Sequence, residues 1–403
     1  MWEKNIDINE IKELRTRTIV YFGVGAIQKI NDISKDLKAK GIDKVIVMSG
    51  RNAYKATGAW DVVEKAFQDN GIGYVNYDKV TPNPTTDHVN EAVKLASEFG
   101  AKAVVAIGGG SPTDAGKSVA ILLKYPEKTA EELIEGKFEV TQAVPIVSIN
   151  LTHGTGTETN RFAVVTNLAK NFKPVIAYDC IYPTYAIDDP QLMTKLSPKQ
   201  TRFVSIDAVN HVVEAATTTV ASPYSVTLAK EVVELVGKYL PKALENPEDL
   251  EARYFLAYAA TMAGVAFDNG LLHYTHALEH PLSGVKPELS HGLGLAMLLP
   301  AVVKTIYPKK SYILADVLAP IVDGLKGNPD EAEKAAKGVE QWLKSVGVPE
   351  KLEDEGFTQD DVEKLVKLTF ETPSLGLLLS VSPCGDKEEI VREIYKSSLK
   401  PMV

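Results

Sequence analysis

Cysteine is scarce, basic residues are outnumbered, and long apolar runs are missing. The 403 residues include 2 cysteines, Cys180 and Cys384, too few for a disulfide framework or a four-thiolate zinc site. Lysine and arginine total 44 against 53 acidic residues, a net charge of −9. Contact with phosphate backbones or anionic lipid needs a cationic surface, so neither nucleic acid nor membrane is an expected partner. No uninterrupted apolar stretch reaches the roughly 20 residues that span a bilayer. The opening Met1-Trp2-Glu3-Lys4-Asn5-Ile6-Asp7 is polar and lacks the apolar centre of a signal peptide. The expectation from these absences is a soluble, cytoplasmic chain. What is present is ordinary globular composition, 45% hydrophobic and 24% charged, which excludes a disordered or collagen-like chain. The length suits two domains.

The two halves have different rhythm. Up to about residue 195, short β-branched runs alternate with helical patterns: Lys44-Val45-Ile46-Val47-Met48, Gly73-Tyr74-Val75, Ala103-Val104-Val105-Ala106-Ile107 and Val144 to Ile149. Continuous apolar strands separated by helices indicate a buried parallel sheet with helices on both faces. Beyond Ser197-Pro198-Lys199 the strand signals stop, and residues 201–220, 223–240, 249–277, 287–307, 329–346 and 359–370 read as helices. The predicted domains are therefore 1–195, α/β, and 196–403, all-helical.

The strand ending at Ile107 runs into Gly108-Gly109-Gly110-Ser111-Pro112-Thr113-Asp114. Successive glycines before a helix offer bare amides and a positive helix end to a phosphate. Lys117 lies too far into that helix to serve as a Walker lysine. Gly23-Val24-Gly25-Ala26 lacks the third glycine of a dinucleotide fingerprint and reads as a tight turn. After the strand ending at Met48 comes Ser49-Gly50-Arg51-Asn52. A carboxylate here would bind a ribose 2′-hydroxyl, whereas glycine, small donors and an arginine accept a 2′-phosphate, which favours NADP over NAD.

Five of the 7 histidines fall between positions 211 and 291. Asp207 and His211 stand four apart on one helix face, His276 and His280 repeat that spacing, and His291 opens another helix. Asp207, His211, His276 and His291 form an N/O ligand set suited to a divalent first-row metal, without choosing among iron, zinc, manganese and cobalt. Phe162, Phe267 and His273 are read as pocket-lining. His153, after a strand, is a candidate neighbour of the cofactor, and His88 has no assigned role.

At this point the chain resembles the iron-containing (group III) alcohol dehydrogenases. The resemblance is carried by Tyr21-Phe22-Gly23, Pro82-Asn83-Pro84-Thr85, the turn Gly108 to Asp114, and Thr152-His153-Gly154-Thr155-Gly156-Thr157-Glu158. It continues through Ala186-Ile187-Asp188-Asp189-Pro190, Asp207-Ala208-Val209-Asn210-His211, His276 to Leu282, and His291-Gly292. It implies a Rossmann-like domain, a helical domain and a site in the cleft between them. It also implies Fe²⁺ (or Zn²⁺) on Asp207, His211, His276 and His291, with His280 as a catalytic, non-ligand histidine. Cofactor contacts implied are Asn83, Gly109, Gly110, Ser111, Asp114, Thr152, Thr155 and Lys173. The expected reaction is reversible hydride transfer between a primary alcohol or aldehyde and NADP(H), less readily NAD(H), in a homodimer or higher oligomer. Glycerol-dehydrogenase-like and dehydroquinate-synthase-like enzymes are the alternatives. The latter would need several basic residues for a sugar phosphate, and residues 267–291 offer only Lys286.

Overall fold

The computed structural model describes residues 12–402, so the opening Met1 to Asp7 lies outside the described residues. The strands are β1 (Ile19–Phe22), β2 (Lys44–Ser49), β3 (Gly73–Tyr77), β4 (Ala103–Gly108), β5 (Ile146–Asn150), β6 (Phe162–Val164), β7 (Val175–Ala177) and β8 (Tyr185–Asp188). Six of them form a sheet in the order β1-β8-β5-β4-β2-β3, and β6 pairs with β7 apart from it. Every pairing in the large sheet is parallel. The chain goes from β2 outward to β3, then back across to β4, so the order reverses between β2 and β4. In such sheets ligands bind beyond the carboxyl ends of the strands at that reversal.

Around the sheet run α1 (Ile30–Ala39), α2 (Ala53–Ala56), α3 (Ala59–Asn70), α4 (Thr86–Phe99), α5 (Gly110–Leu122) and α6 (Ala130–Ile134). Strand side chains alternate between faces, so Val45 and Val47 join one core while Ile46 and Met48 join the other. Both faces are covered, which is why the strands read as unbroken apolar runs. The half is Rossmann-like.

The remainder is helical: α7 (Pro198–Ala215), α8 (Pro223–Glu245), α9 (Leu250–Gly270), α10 (Tyr274–Val285), α11 (His291–Leu318), α12 (Ala332–Ser345), α13 (Val362–Glu371), α14 (Leu375–Ser380) and α15 (Glu388–Ser397). Ser197 caps α7, accepting from the Gln200 N–H, with Pro198 in the first turn. The expected helix over 249–277 is in fact two, α9 and α10, bent 106° apart. The break is a tertiary effect. A side chain at Gly270 would meet the Ala215 carbonyl at 2.2 Å. Leu271 then takes φ 60° and ψ −179°, a region used almost solely by glycine. His273 restarts the chain by accepting the Tyr274 N–H at 2.7 Å. Among the described residues no single helix is long and apolar enough to cross a membrane.

Candidate active site

Between the carboxyl ends of the strands and the helical half lies a cavity of about 580 Å³. Gly109 caps α5, which starts at Gly110, and Gly108 to Ser111 line the cavity with their backbone. Glycine is obligatory here because residues 151–157 press on the turn. A Cβ at Gly109 would lie 2.8 Å from the Thr152 side chain, and one at Gly110 2.6 Å from Thr155 Cγ2. Thr152 and Thr155 also face the cavity.

One turn into α5, the Asp114 carboxylate accepts from Thr157 Oγ1 at 2.7 Å and the Val164 N–H at 3.0 Å. Burial pushes it up to about 6. Lys117, fully buried, donates to the carbonyls of Thr157 (2.7 Å), Asn160 (2.9 Å) and Phe162 (2.7 Å). Its ammonium thus holds residues 157–162 and takes no part in the glycine turn.

The second nucleotide loop is only partly where it was expected. Gly50 lines the cavity, with the Val80 carbonyl 3.2 Å from where a Cβ would stand. Arg51 and Asn52 are exposed beside it. Ser49 is a correction: it shares strand parity with Val45 and Val47, so its side chain is fully buried in the sheet and does not reach the cavity. Asn83 lines the cavity and donates to the carbonyls of Pro287 at 2.8 Å and Leu289 at 3.3 Å. This ties the sheet side to the segment that delivers His291.

The opposite wall carries the imidazoles. Asp207, His211 and Glu214 form one stripe of α7, His276, Glu279 and His280 lie on α10, and His291 opens α11. Gly292 lets α11 close on α7, since a side chain there would meet the Phe203 carbonyl at 2.2 Å. Asp207 Oδ1 stands 3.4 Å from His211 Nε2, 3.6 Å from His276 Nε2 and 4.0 Å from His291 Nε2. Ligand atoms about 2.1 Å from one tetrahedral cation are themselves about 3.4 Å apart. Asp207 Oδ1 and His276 Nε2 are buried with no hydrogen-bond partner among the described residues. Such orphans are costly unless something binds them. Ligand atoms of Asp207, His276 and His291 lie within 4.8 Å of one another and fit a divalent metal; His211 stands beside Asp207 and Phe267, outside that mutually close set.

Two glutamates missed in the sequence complete this wall. Glu214 bonds His276 Nδ1 and accepts the backbone N–H of His273 (3.1 Å) and Thr275 (2.7 Å). Glu279 bonds His291 Nδ1 and accepts from Ser283 and, at 3.0 Å, from Lys173 Nζ. Each pair engages Nδ1 and leaves Nε2 for the centre, the usual support of a metal-binding imidazole. Burial works to raise Glu214, but His276 prevails and holds it at about 2. Burial likewise lowers His276, yet Glu214 and Asp207 push it up to about 9. The signal for both glutamates was their helical spacing from a ligand: Glu214 two turns after Asp207, Glu279 one turn after His276.

His280 is 2% exposed and lines the cavity, and burial, then the nearby Lys173 charge, pushes its pKa down. Phe162 and Phe267 line the cavity, and Phe267 stacks on His211 with ring centres 4.5 Å apart. His273 does not line it; the ring is packed inside, bonded to Thr217 Oγ1 at 2.9 Å. His153 is likewise fully buried, between Arg253 Nη1 (2.9 Å) and Ser205 Oγ (3.3 Å), and does not line the cavity. His88 completes the cap of α4, its Nδ1 accepting the Thr85 N–H at 3.1 Å.

A Rossmann-like sheet that turns its glycine loop toward carboxylates and imidazoles on a helical partner defines a class of two-part, nucleotide-dependent enzyme architecture. Comparison with known families narrows the class. The family described as iron-containing alcohol dehydrogenase matches residues 17–190, and its C-terminal counterpart, Fe-containing alcohol dehydrogenase family, matches residues 203–399. The chain belongs to the iron-containing alcohol dehydrogenases. It is 59% identical over 398 residues to a long-chain primary alcohol dehydrogenase of Thermoanaerobacter ethanolicus, covering 99% of this chain and 100% of that one. An NADPH-dependent butanol dehydrogenase of Clostridium saccharobutylicum is 30% identical, with 87% and 89% covered. The solved NADH-dependent butanol dehydrogenase A of Thermotoga maritima superimposes with a TM-score of 0.86 at 31% identity, over 97% of this chain and 99% of that one.

Proposed function

We propose that the protein is a reversible, metal-dependent primary alcohol dehydrogenase that favours NADP(H) over NAD(H) and uses Fe²⁺, with Zn²⁺ as the alternative ion. One observation carries the reading: the orphaned Asp207 Oδ1 and His276 Nε2 belong to residues lining the same cavity as the glycine turn. Asp207, His211, His276 and His291 are assigned as ligands. Gly50, Arg51, Asn52, Asn83, Gly109, Gly110, Ser111, Asp114, Thr152 and Thr155 are assigned to the nucleotide side; Lys173, expected there too, lines the cavity with its ammonium held by Glu279 beside His291. The chain divides functionally at 1–195 and 196–403, and acts in the cytoplasm as a homodimer or higher oligomer.

A divalent cation supplies Lewis acidity to a substrate oxygen, and a nicotinamide supplies the hydride acceptor. This chain's residues do the rest. Phe162, Phe267, Leu271, Leu272 and Leu378 line the cavity and exclude water beside His211. None offers a side-chain hydrogen bond, so an alkyl chain laid against these residues is favoured over a further hydroxyl there. The name of the relative that is 59% identical, a long-chain primary alcohol dehydrogenase, agrees with this. His280 lines the cavity with Nδ1 unpartnered among the described residues, and that nitrogen takes up the hydroxyl proton. At Gly50 no carboxylate repels a 2′-phosphate, and the exposed Arg51 is free to pair with one. Relatives named for NADPH and for NADH both occur, so this loop and not family membership supports the choice. A dehydroquinate-synthase-like reaction is disfavoured, because Lys286 is engaged by Glu355 at 2.6 Å.

The test is a panel of primary alcohols and diols with both cofactors, on protein of assayed metal content, followed by the absorbance of reduced nicotinamide. Higher kcat/KM with NADP and with longer n-alcohols is expected. Absence of nicotinamide reduction by metal-loaded protein would sink the reading.

A further inference from the structure

We propose that the Lys173 ammonium stands in for a second cation, filling a site formed by Glu279, His280 and His291 and so limiting each chain to one metal ion. The inference rests on the reading of Asp207, His211, His276 and His291 as the first metal site.

Two overlapping sets of ligand atoms, each within 4.8 Å of one another, occur among the described residues: Asp207, His276 and His291, and Glu279, His280 and His291. The second set has the chemistry of a site for a divalent first-row cation, one carboxylate with two imidazoles. Glu279 is fully buried and His280 is 2% exposed, with its Nδ1 lacking any partner among the described residues. Into this set reaches Lys173, itself 4% exposed, with Nζ 3.0 Å from Glu279 Oε2 and 3.2 Å from His291 Nδ1. The ammonium therefore sits where a second ion would.

Charge supports the same assignment. Asp207, Glu214 and Glu279 are three buried carboxylates around one centre. One dication and one ammonium neutralise them, with every imidazole uncharged. A second dication beside Lys173 would leave excess positive charge in a water-poor site, which is unfavourable. It would also have to use His291 Nδ1 while Nε2 faces the first ion, making that imidazole a shared ligand. With Lys173 removed, Glu279 loses its ammonium partner and becomes free to take a cation together with His280.

The probe is cobalt(II), counted per chain by elemental analysis after dialysis. Wild-type protein is expected to hold one equivalent even in excess cobalt, Lys173→Met two, and the double variant Lys173→Met/Glu279→Gln one again. A second equivalent in wild type overturns the proposal, and that measurement stands even if the variants do not fold. A folded Lys173→Met that holds one equivalent overturns it while leaving the first site intact. A folded Lys173→Met that holds none overturns it too, because Lys173 would then support the first ion. A wild type that binds no cobalt removes both this inference and the reading it rests on.

Discussion

The two walls of the cavity are made by opposite means. On the sheet side the working groups are backbone amides at Gly109 and Gly110, and the design depends on missing atoms: a Cβ at Gly110 would collide with Thr155 at 2.6 Å. On the helical side the working groups are side-chain atoms, Asp207 Oδ1 and the histidine Nε2 atoms, held by Glu214 and Glu279. A wall of amides fails when something is added, and a wall of ligands fails when something is removed. The walls should therefore fail separately, one losing nucleotide and the other losing metal.

The largest effect is expected on the helical wall. His276→Ala removes an orphaned ligand atom and leaves Glu214 without its imidazole. Bound metal should fall toward zero, and kcat/KM by about 10³-fold, since metal-based stabilisation is worth several kcal/mol at 1.36 kcal/mol per decade. Nucleotide binding, read by fluorescence titration, should be unchanged. Full metal occupancy in this variant would remove His276 from the ligand set.

A smaller and opposite failure is expected on the sheet wall. Gly110→Ala forces the new methyl against Thr155 and shifts the amides at the start of α5. The KM for nucleotide should rise about tenfold, equivalent to the loss of one net hydrogen bond of about 1.4 kcal/mol, with metal content unaltered. Loss of metal in Gly110→Ala would show that the walls do not act independently.

The same contrast governs what could be read from the sequence. The parallel sheet was legible because both its faces are covered, giving unbroken runs such as Ala103 to Ile107. The ligand candidates were legible because helical spacing alone brings Asp207 and His211 to one face. Glu214 and Glu279 were not, since a glutamate on a helix ordinarily faces water and only burial reveals that these do not. The division of residues 249–277 was also hidden. Asn269-Gly270 was its one local sign, outweighed by the long helical pattern; the bend is fixed where Gly270 meets the Ala215 carbonyl, a contact between residues distant in sequence. Ser49 was misplaced for a simpler reason: a loop assignment overlooked strand parity, which continues one residue past Met48.

The last effect leaves catalysis and binding alone and concerns the stability of the joint between the walls. Residues 151–157 carry Thr152 and Thr155, and His153 fastens this loop to the helical half through Arg253 and Ser205. Burial, then the Arg253 charge, lowers this imidazole to about 3 from an ordinary 6.5. The unfolded chain binds a proton there below about pH 6.5, whereas the folded chain resists until about pH 3. The stabilisation is therefore complete above pH 6.5 and is lost as the pH falls between these values. From pH 7 to pH 5 the loss amounts to about 2 kcal/mol by proton linkage. In His153→Gln the amide oxygen still accepts from Arg253, but nothing titrates. Unfolding by urea at pH 7 and pH 5 should show a pH-dependent loss smaller by that amount in the variant. Equal losses in the two proteins would mean that the wild-type imidazole is already solvated, and that the loop is fastened by Gly154 packing on Val204 rather than by His153.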